Sequence, residues 1–221
     1  MTINKRYLKT NEGIVSTPTY IQFTTGTAFT TLYGGSVSGG NILASDLFYS
    51  NEILTDSGLI NSVTFKKAID KDFDVLFNQT IELRGEAIIS IPVILYHTAG
   101  AGSPPTSAAY IKARVRKWDG TTETEIANGD SKEWSVTNNQ NFWNYKVHSA
   151  RVNIPATVFR AGEYLRLTIE VWAKEGQVNN SRVLIAHDPQ NRTESDGEAN
   201  ILVLTSGGSL FKADIPFKMD L

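Results

Sequence analysis

Three histidines, His97, His148 and His187, are the side chains best suited to moving a proton near neutral pH. There is no cysteine, so neither a thiolate nucleophile nor a zinc–thiolate site can be built. His187 stands in the stretch Ile185-Ala186-His187-Asp188-Pro189. A His–Asp neighbour pair invites acid–base chemistry, but adjacent strand residues point to opposite faces. No G-x-S-x-G or comparable motif marks a nucleophile to go with it. The stretch reads instead as a turn, in which His187 caps and Asp188 accepts local backbone bonds ahead of Pro189. No catalytic residue is expected.

Carboxylates are the second group. Asp70, Asp72 and Asp74 alternate along one segment, and Glu194, Asp196 and Glu198 along another. Oxygen ligands at such spacing can converge on a hard cation such as calcium. Neither segment fits the helix–loop–helix calcium pattern, and Lys71 and Arg192 partly neutralise them. They are the candidate metal ligands, set against a solvated acidic surface as the expected role. No cofactor is expected.

Aromatic residues are the third. Trp118, Trp134, Phe142, Trp143, Tyr145 and Trp172 fall in one half of the chain. Exposed on a sheet, Trp118, Trp134, Trp143, Tyr145 and Trp172 would suit a glycan or an interface; core packing is the common alternative. Trp172 shares the polar register of its strand with Glu170, which places it outward.

The elements that must position these residues are strands. Ile111, Ala113 and Val115 alternate with Lys112, Arg114 and Arg116, and Leu165, Leu167, Ile169 and Val171 with Arg166, Thr168 and Glu170. Residues 211–221 alternate in the same way around Pro216, which predicts an edge strand or a bulge there. Further strands are expected at 60–68, 79–84, 87–96, 146–154, 182–187 and 199–205. Asp119-Gly120, Asn128-Gly129, Ala161-Gly162, Asp196-Gly197 and Gly207-Gly208 supply turns between them. Only 45–54 and 69–77 could hold a helical turn. The expected fold is all-β, an antiparallel β-sandwich of jelly-roll or Greek-key type. Leu167, Ile169 and Phe217 are expected in its core. Residues 1–41, rich in Thr, Gly and Ser, read as an extended N-terminal arm or first strand, and 42–221 as a single sandwich domain.

Composition narrows the function. A chain of 221 residues, 41% hydrophobic and 20% charged, is long enough for one large core and is not disordered. The 21 basic and 23 acidic residues are interspersed, which argues against a nucleic-acid partner. The most apolar stretch, 87–95, is short and contains Ser90 and Pro92, so no membrane partner is expected. No apolar segment follows Lys5, Arg6 and Lys9, so synthesis in a cytoplasm without secretion is expected. The sequons at Asn78, Asn179 and Asn191 then read as chance matches.

The Gly/Thr-rich N-terminal stretch, the cysteine-free body of short strands and the ending Ile215-Pro216-Phe217-Lys218-Met219-Asp220-Leu221 resemble jelly-roll virion structural proteins of tailed viruses, of decoration or minor capsid type. The resemblance covers general architecture and carries over no functional residue. It implies a non-enzymatic structural protein of the virion. Such a protein would assemble as a homo-oligomer, a trimer by preference, and dock on other virion proteins of a capsid or tail. The alternative is a carbohydrate-binding β-sandwich module, alone or in a host-adhesion apparatus.

Overall fold

Period-2 alternation of apolar and polar residues yields strands wherever it runs long enough to bury one face. The computed structural model describes residues 20–22, 27–97, 106–137, 143–176, 181–192 and 208–218. Among these there are thirteen strands and no helix. They are β1 (Tyr20–Gln22), β2 (Thr27–Val37), β3 (Gly40–Ala44), β4 (Leu54–Leu59), β5 (Lys66–Leu76), β6 (Ile81–His97) and β7 (Thr106–Trp118). The remainder are β8 (Glu123–Asp130), β9 (Trp134–Thr137), β10 (Trp143–Phe159), β11 (Tyr164–Glu175), β12 (Ser181–Ala186) and β13 (Phe211–Lys218). The all-β class expected from the sequence holds.

The strands form one continuous sheet in the order β4-β12-β6-β13-β2-β3-β5-β11-β7-β8, with β1 added to β2, β10 to β6 and β9 to β7. The β3–β5 pairing is parallel. The sheet bends back on itself, so inward residues of its two halves share one core. Leu83, Ala87, Ile89, Ile91 and Val93 of β6 meet Leu165, Leu167, Ile169 and Val171 of β11 in that core. Phe73 of β5 packs edge-on to Phe211 of β13, with ring centroids 4.8 Å apart. Leu167, Ile169 and Phe217 are buried there as expected.

Local readings change in two places, and at Pro216 the bulge is chosen over the edge. Residues 69–76 are not a helical turn but the body of β5, because β11 pairs with them from Ile69↔Val171 to Leu76↔Tyr164. Pro216 does not lie on an edge, since β13 is flanked by β2 and β6. The β13–β6 register shifts between Asp214 and Phe217, a bulge that absorbs the proline's missing donor. Asn128-Gly129 is not a turn but part of β8. Gly129 lies against the backbone of β10, where a Cβ would overlap the Arg151 carbonyl oxygen. Gly120 and Gly162, at φ 97° and 89°, do make the turns expected at Asp119-Gly120 and Ala161-Gly162.

Of the N-terminal stretch, β2 lies within the sheet between β13 and β3. Residues 1–19, the expected strand at 199–205 and the last three residues of the chain lie outside the described residues.

Candidate functional site

Four inward rows of apolar residues end in a polar side chain at the same end of the core. They are Val93-Leu95-His97 on β6, Ser107-Ala109-Ile111 on β7, Val171-Ala173-Glu175 on β11 and Ser181-Val183-Ile185 on β12. His97, Ser107, Glu175 and Ser181 are all 0% exposed. Ser181 Oγ lies 2.7 Å from His97 Nδ1 and 2.8 Å from Ser107 Oγ. The Glu175 carboxylate accepts the Ser181 backbone N–H at 3.1 Å. His97 and Ser181 belong to one half of the sheet, Ser107 and Glu175 to the other, so the cluster bridges the halves.

A neutral imidazole 2.7 Å from a hydroxyl has the spacing of a base and its nucleophile. Burial pushes the His97 pKa down, which keeps the ring neutral. Two features depart from a catalytic triad. Among the described residues His97 Nε2 has no hydrogen-bond partner, so no acid of theirs orients the ring. Glu175 instead holds the Ser181 main chain. With the hydroxyl fully buried, the described geometry fixes the two halves against each other. Sequence reasoning missed this cluster; its signal was a polar residue ending each of four inward rows.

His187 is not a turn cap. It continues the inward row of β12, is fully buried, places Nε2 2.8 Å from Thr55 Oγ1 and stands edge-on to Phe73. Asp188 does accept local backbone bonds, from Gln190 and Arg192 at 3.3 and 2.6 Å, and also pairs with the Arg192 guanidinium. His148, on β10, is buried too, with Nδ1 2.9 Å from Ser131 Oγ.

Asp70, Asp72 and Asp74 form the outward row of β5 and are met by cations and donors. Lys67 pairs with Asp70, Thr168 donates to Asp72, and Arg166 forks onto Asp74 at 2.8 and 2.7 Å. Among the described residues no group of three His, Cys, Asp or Glu is placed to hold a metal ion. Glu194, Asp196 and Glu198 lie outside the described residues.

This outer face, over β5, β11, β7 and β8, is an ion-pair ladder that the sequence did not reveal. Arg114 bridges Glu170 at 2.9 Å and Glu125 at 2.8 Å. Glu170 is nearly buried, which alone would raise its pKa. Bonds from Arg114 and Trp172 and the charge of Lys67 outweigh this and hold it below the usual carboxylate range.

The candidate aromatics do not converge. Trp118 packs against Tyr164 at 4.8 Å beneath the Arg166 guanidinium, at one end of the ladder. Trp172 lies parallel to Tyr110 at 6.3 Å, its Nε1 donating to Glu170, at the other end. Trp143 stacks on Tyr96 at 4.2 Å and with Tyr145 covers Ile94 and Leu184. Trp134 packs on the main core beside His148.

No family model and no curated protein matches the chain. Solved structures do. The fold is similar to a CocE/NonD family hydrolase from Staphylococcus aureus, at 14% identity and a TM-score of 0.49, covering 87% of this chain and 37% of that one. It is similar to an aminopeptidase from a Thaumarchaeota archaeon, at 6% identity and a TM-score of 0.50, covering 85% and 36%. An alpha-amino acid ester hydrolase matches at 8% identity and a TM-score of 0.48, covering 85% and 36%. This chain therefore spans little more than a third of each of these proteins. The likeness is one of fold alone.

That finding corrects the functional expectation. The fold is shared with part of the archaeal aminopeptidase, so the virion structural role, with its capsid-decoration vocabulary, is withdrawn. The expectation that the chain is not an enzyme is withdrawn with it. Sequence reasoning went astray because alternating strands and a Gly/Thr-rich stretch specify an all-β architecture, and one architecture hosts many functions.

Proposed function

We propose that this chain is the β-unit of a hydrolase that cleaves esters or peptide bonds, packed beside other parts of that enzyme. The observation that carries the reading is the likeness to the archaeal aminopeptidase, of which this fold spans 36%. The outer face of β5, β11 and β7 is the surface through which it packs. Trp118 with Tyr164 and Trp172 with Tyr110 stand at the two ends of that face, with the ion-pair ladder between them. Large amphipathic rings beside paired charges are what interfaces use.

The test follows hydrolysis of a chromogenic ester and an aminoacyl anilide through affinity purification of the tagged chain from its native cells. Activity that co-elutes with the chain, and falls several-fold when Trp118 and Trp172 are both replaced by alanine, is the expected result. Ser181→Ala in the same preparation shows whether the buried Ser181–His97 pair takes part. A chain that purifies without activity toward either substrate overturns the reading.

A further inference from the structure

Two edge strands of the sheet, β8 and β10, lie side by side, yet among the described residues no backbone ladder joins them. Side chains make the seam. Ser131 Oγ, just past β8, meets His148 Nδ1 of β10 at 2.9 Å. Trp134 lies 5.7 Å from the His148 ring, and Lys146 of β10 sits over Trp134 at 5.9 Å. Further along, Lys117 Nζ of β7 donates to the Val158 carbonyl of β10 at 2.9 Å. Gly129 allows the close approach of the Arg151 backbone.

His148 is the buried hub of this seam. It is 2% exposed, and among the described residues its Nε2 has no hydrogen-bond partner. Ser131 Oγ also accepts the Ile111 N–H at 3.0 Å and donates to the Lys132 carbonyl at 3.2 Å, which ties the His148 contact to β7 and to the chain just past β8. An added proton would place a cation in the core beside the Lys146 ammonium. Of the charged groups on the elements packed here, Asp130 is drawn to Lys112 and Glu133 to Lys174, and neither reaches the ring. Lys132 lies between them in sequence, and residues 89–93 of β6, paired with this part of β10, carry no charge.

We propose that the β8–β10 seam is an acid-released latch, in which protonation of His148 parts these two edge strands while the rest of the core stays closed. Opening hydrates the imidazole and bares two strand edges, whose free N–H and C=O groups can pair with another strand. Burial first, and then the Lys146 charge, lower the closed-state pKa of His148 to about 4. The open state has the ordinary histidine value, about 6.5. Opening therefore becomes more favourable as pH falls from about 6.5 to about 4.

Hydrogen exchange read by mass spectrometry, corrected for intrinsic rates, tests this at pH 7 and pH 4.5. The expected result is a reversible loss of protection, at least about tenfold, in residues 123–134 and 143–159. Residues 66–76 and 164–175 should lose no more than the fall in global stability between the two pH values accounts for. In His148→Gln, whose amide can still bond Ser131, the seam should stay protected at pH 4.5. Loss of protection by the same factor in all strands, or a glutamine variant that opens at the wild-type pH, overturns the proposal. Should that variant fail to fold, Lys146→Met decides. Removing the neighbouring cation should move the opening to lower pH, and an unmoved opening overturns the latch.

Discussion

The residues that matter most for stability are those with no room to change. Gly129 lies in β8 because only hydrogen fits against the Arg151 carbonyl. Gly129→Ala should force β8 and β10 apart and cost about 1–3 kcal/mol, roughly 2–12 °C in Tm by calorimetry. Leu167 is a different case. It is fully buried between the two halves, and Leu167→Ala leaves a cavity costing about 2–5 kcal/mol in urea unfolding. A loss below about 1 kcal/mol at either position would mean that the core repacks more freely than its burial implies.

At the scale of elements, β5, β11, β7 and β8 are tied by their outer side chains as well as by ladders. Arg166 of β11 reaches Asp74 of β5 and Glu123 of β8, both at 2.7 Å, with a side chain 18% exposed. Its hydrogen bond to the Asp74 carboxylate, working against burial, leads the influences that raise its pKa. Partial exposure screens such pairs, so Arg166→Gln should cost only about 1 kcal/mol. Most of that difference should vanish when wild type and variant are compared in 1 M salt. A cost unchanged by salt would assign the effect to packing against Trp118 instead.

The whole molecule carries three buried imidazoles, and pH should therefore act on it globally. His148 and His187 are both lowered to about 4, chiefly by burial. Each binds its proton more readily unfolded than folded, so their contribution is full above about pH 6.5 and is lost as pH falls through about 4. Each can remove about 3 kcal/mol over that window. Urea unfolding at pH 7, 5.5 and 4.5 should show the decline, and His187→Gln should flatten it. Glu123, Glu125 and Glu170 are held below the usual carboxylate range despite burial, by arginines that bond them. Their contribution therefore fails only at lower pH. A profile flat from pH 7 to 4.5 would show that the buried rings gain solvent when protonated.

Alternation alone determined the all-β class and the burial of Leu167, Ile169 and Phe217, because a period of two forces one face of a strand inward whatever lies opposite. It also put Trp172 outward and made Asp188 a local acceptor, since both depend on neighbours in the chain. Tertiary structure decided everything that needs a partner distant in sequence. Pro216 sits inside the sheet because β2 and β6 close on both sides of β13. Asp70, Asp72 and Asp74 face Lys67, Arg166 and Thr168, because β11 pairs with β5 in that register. His97 meets Ser181 across 84 positions of chain because β12 pairs with the end of β6. Strand order has no local signature: it is set by which edges meet when the core closes, and that placed the histidines with hydroxyls the sequence could not pair.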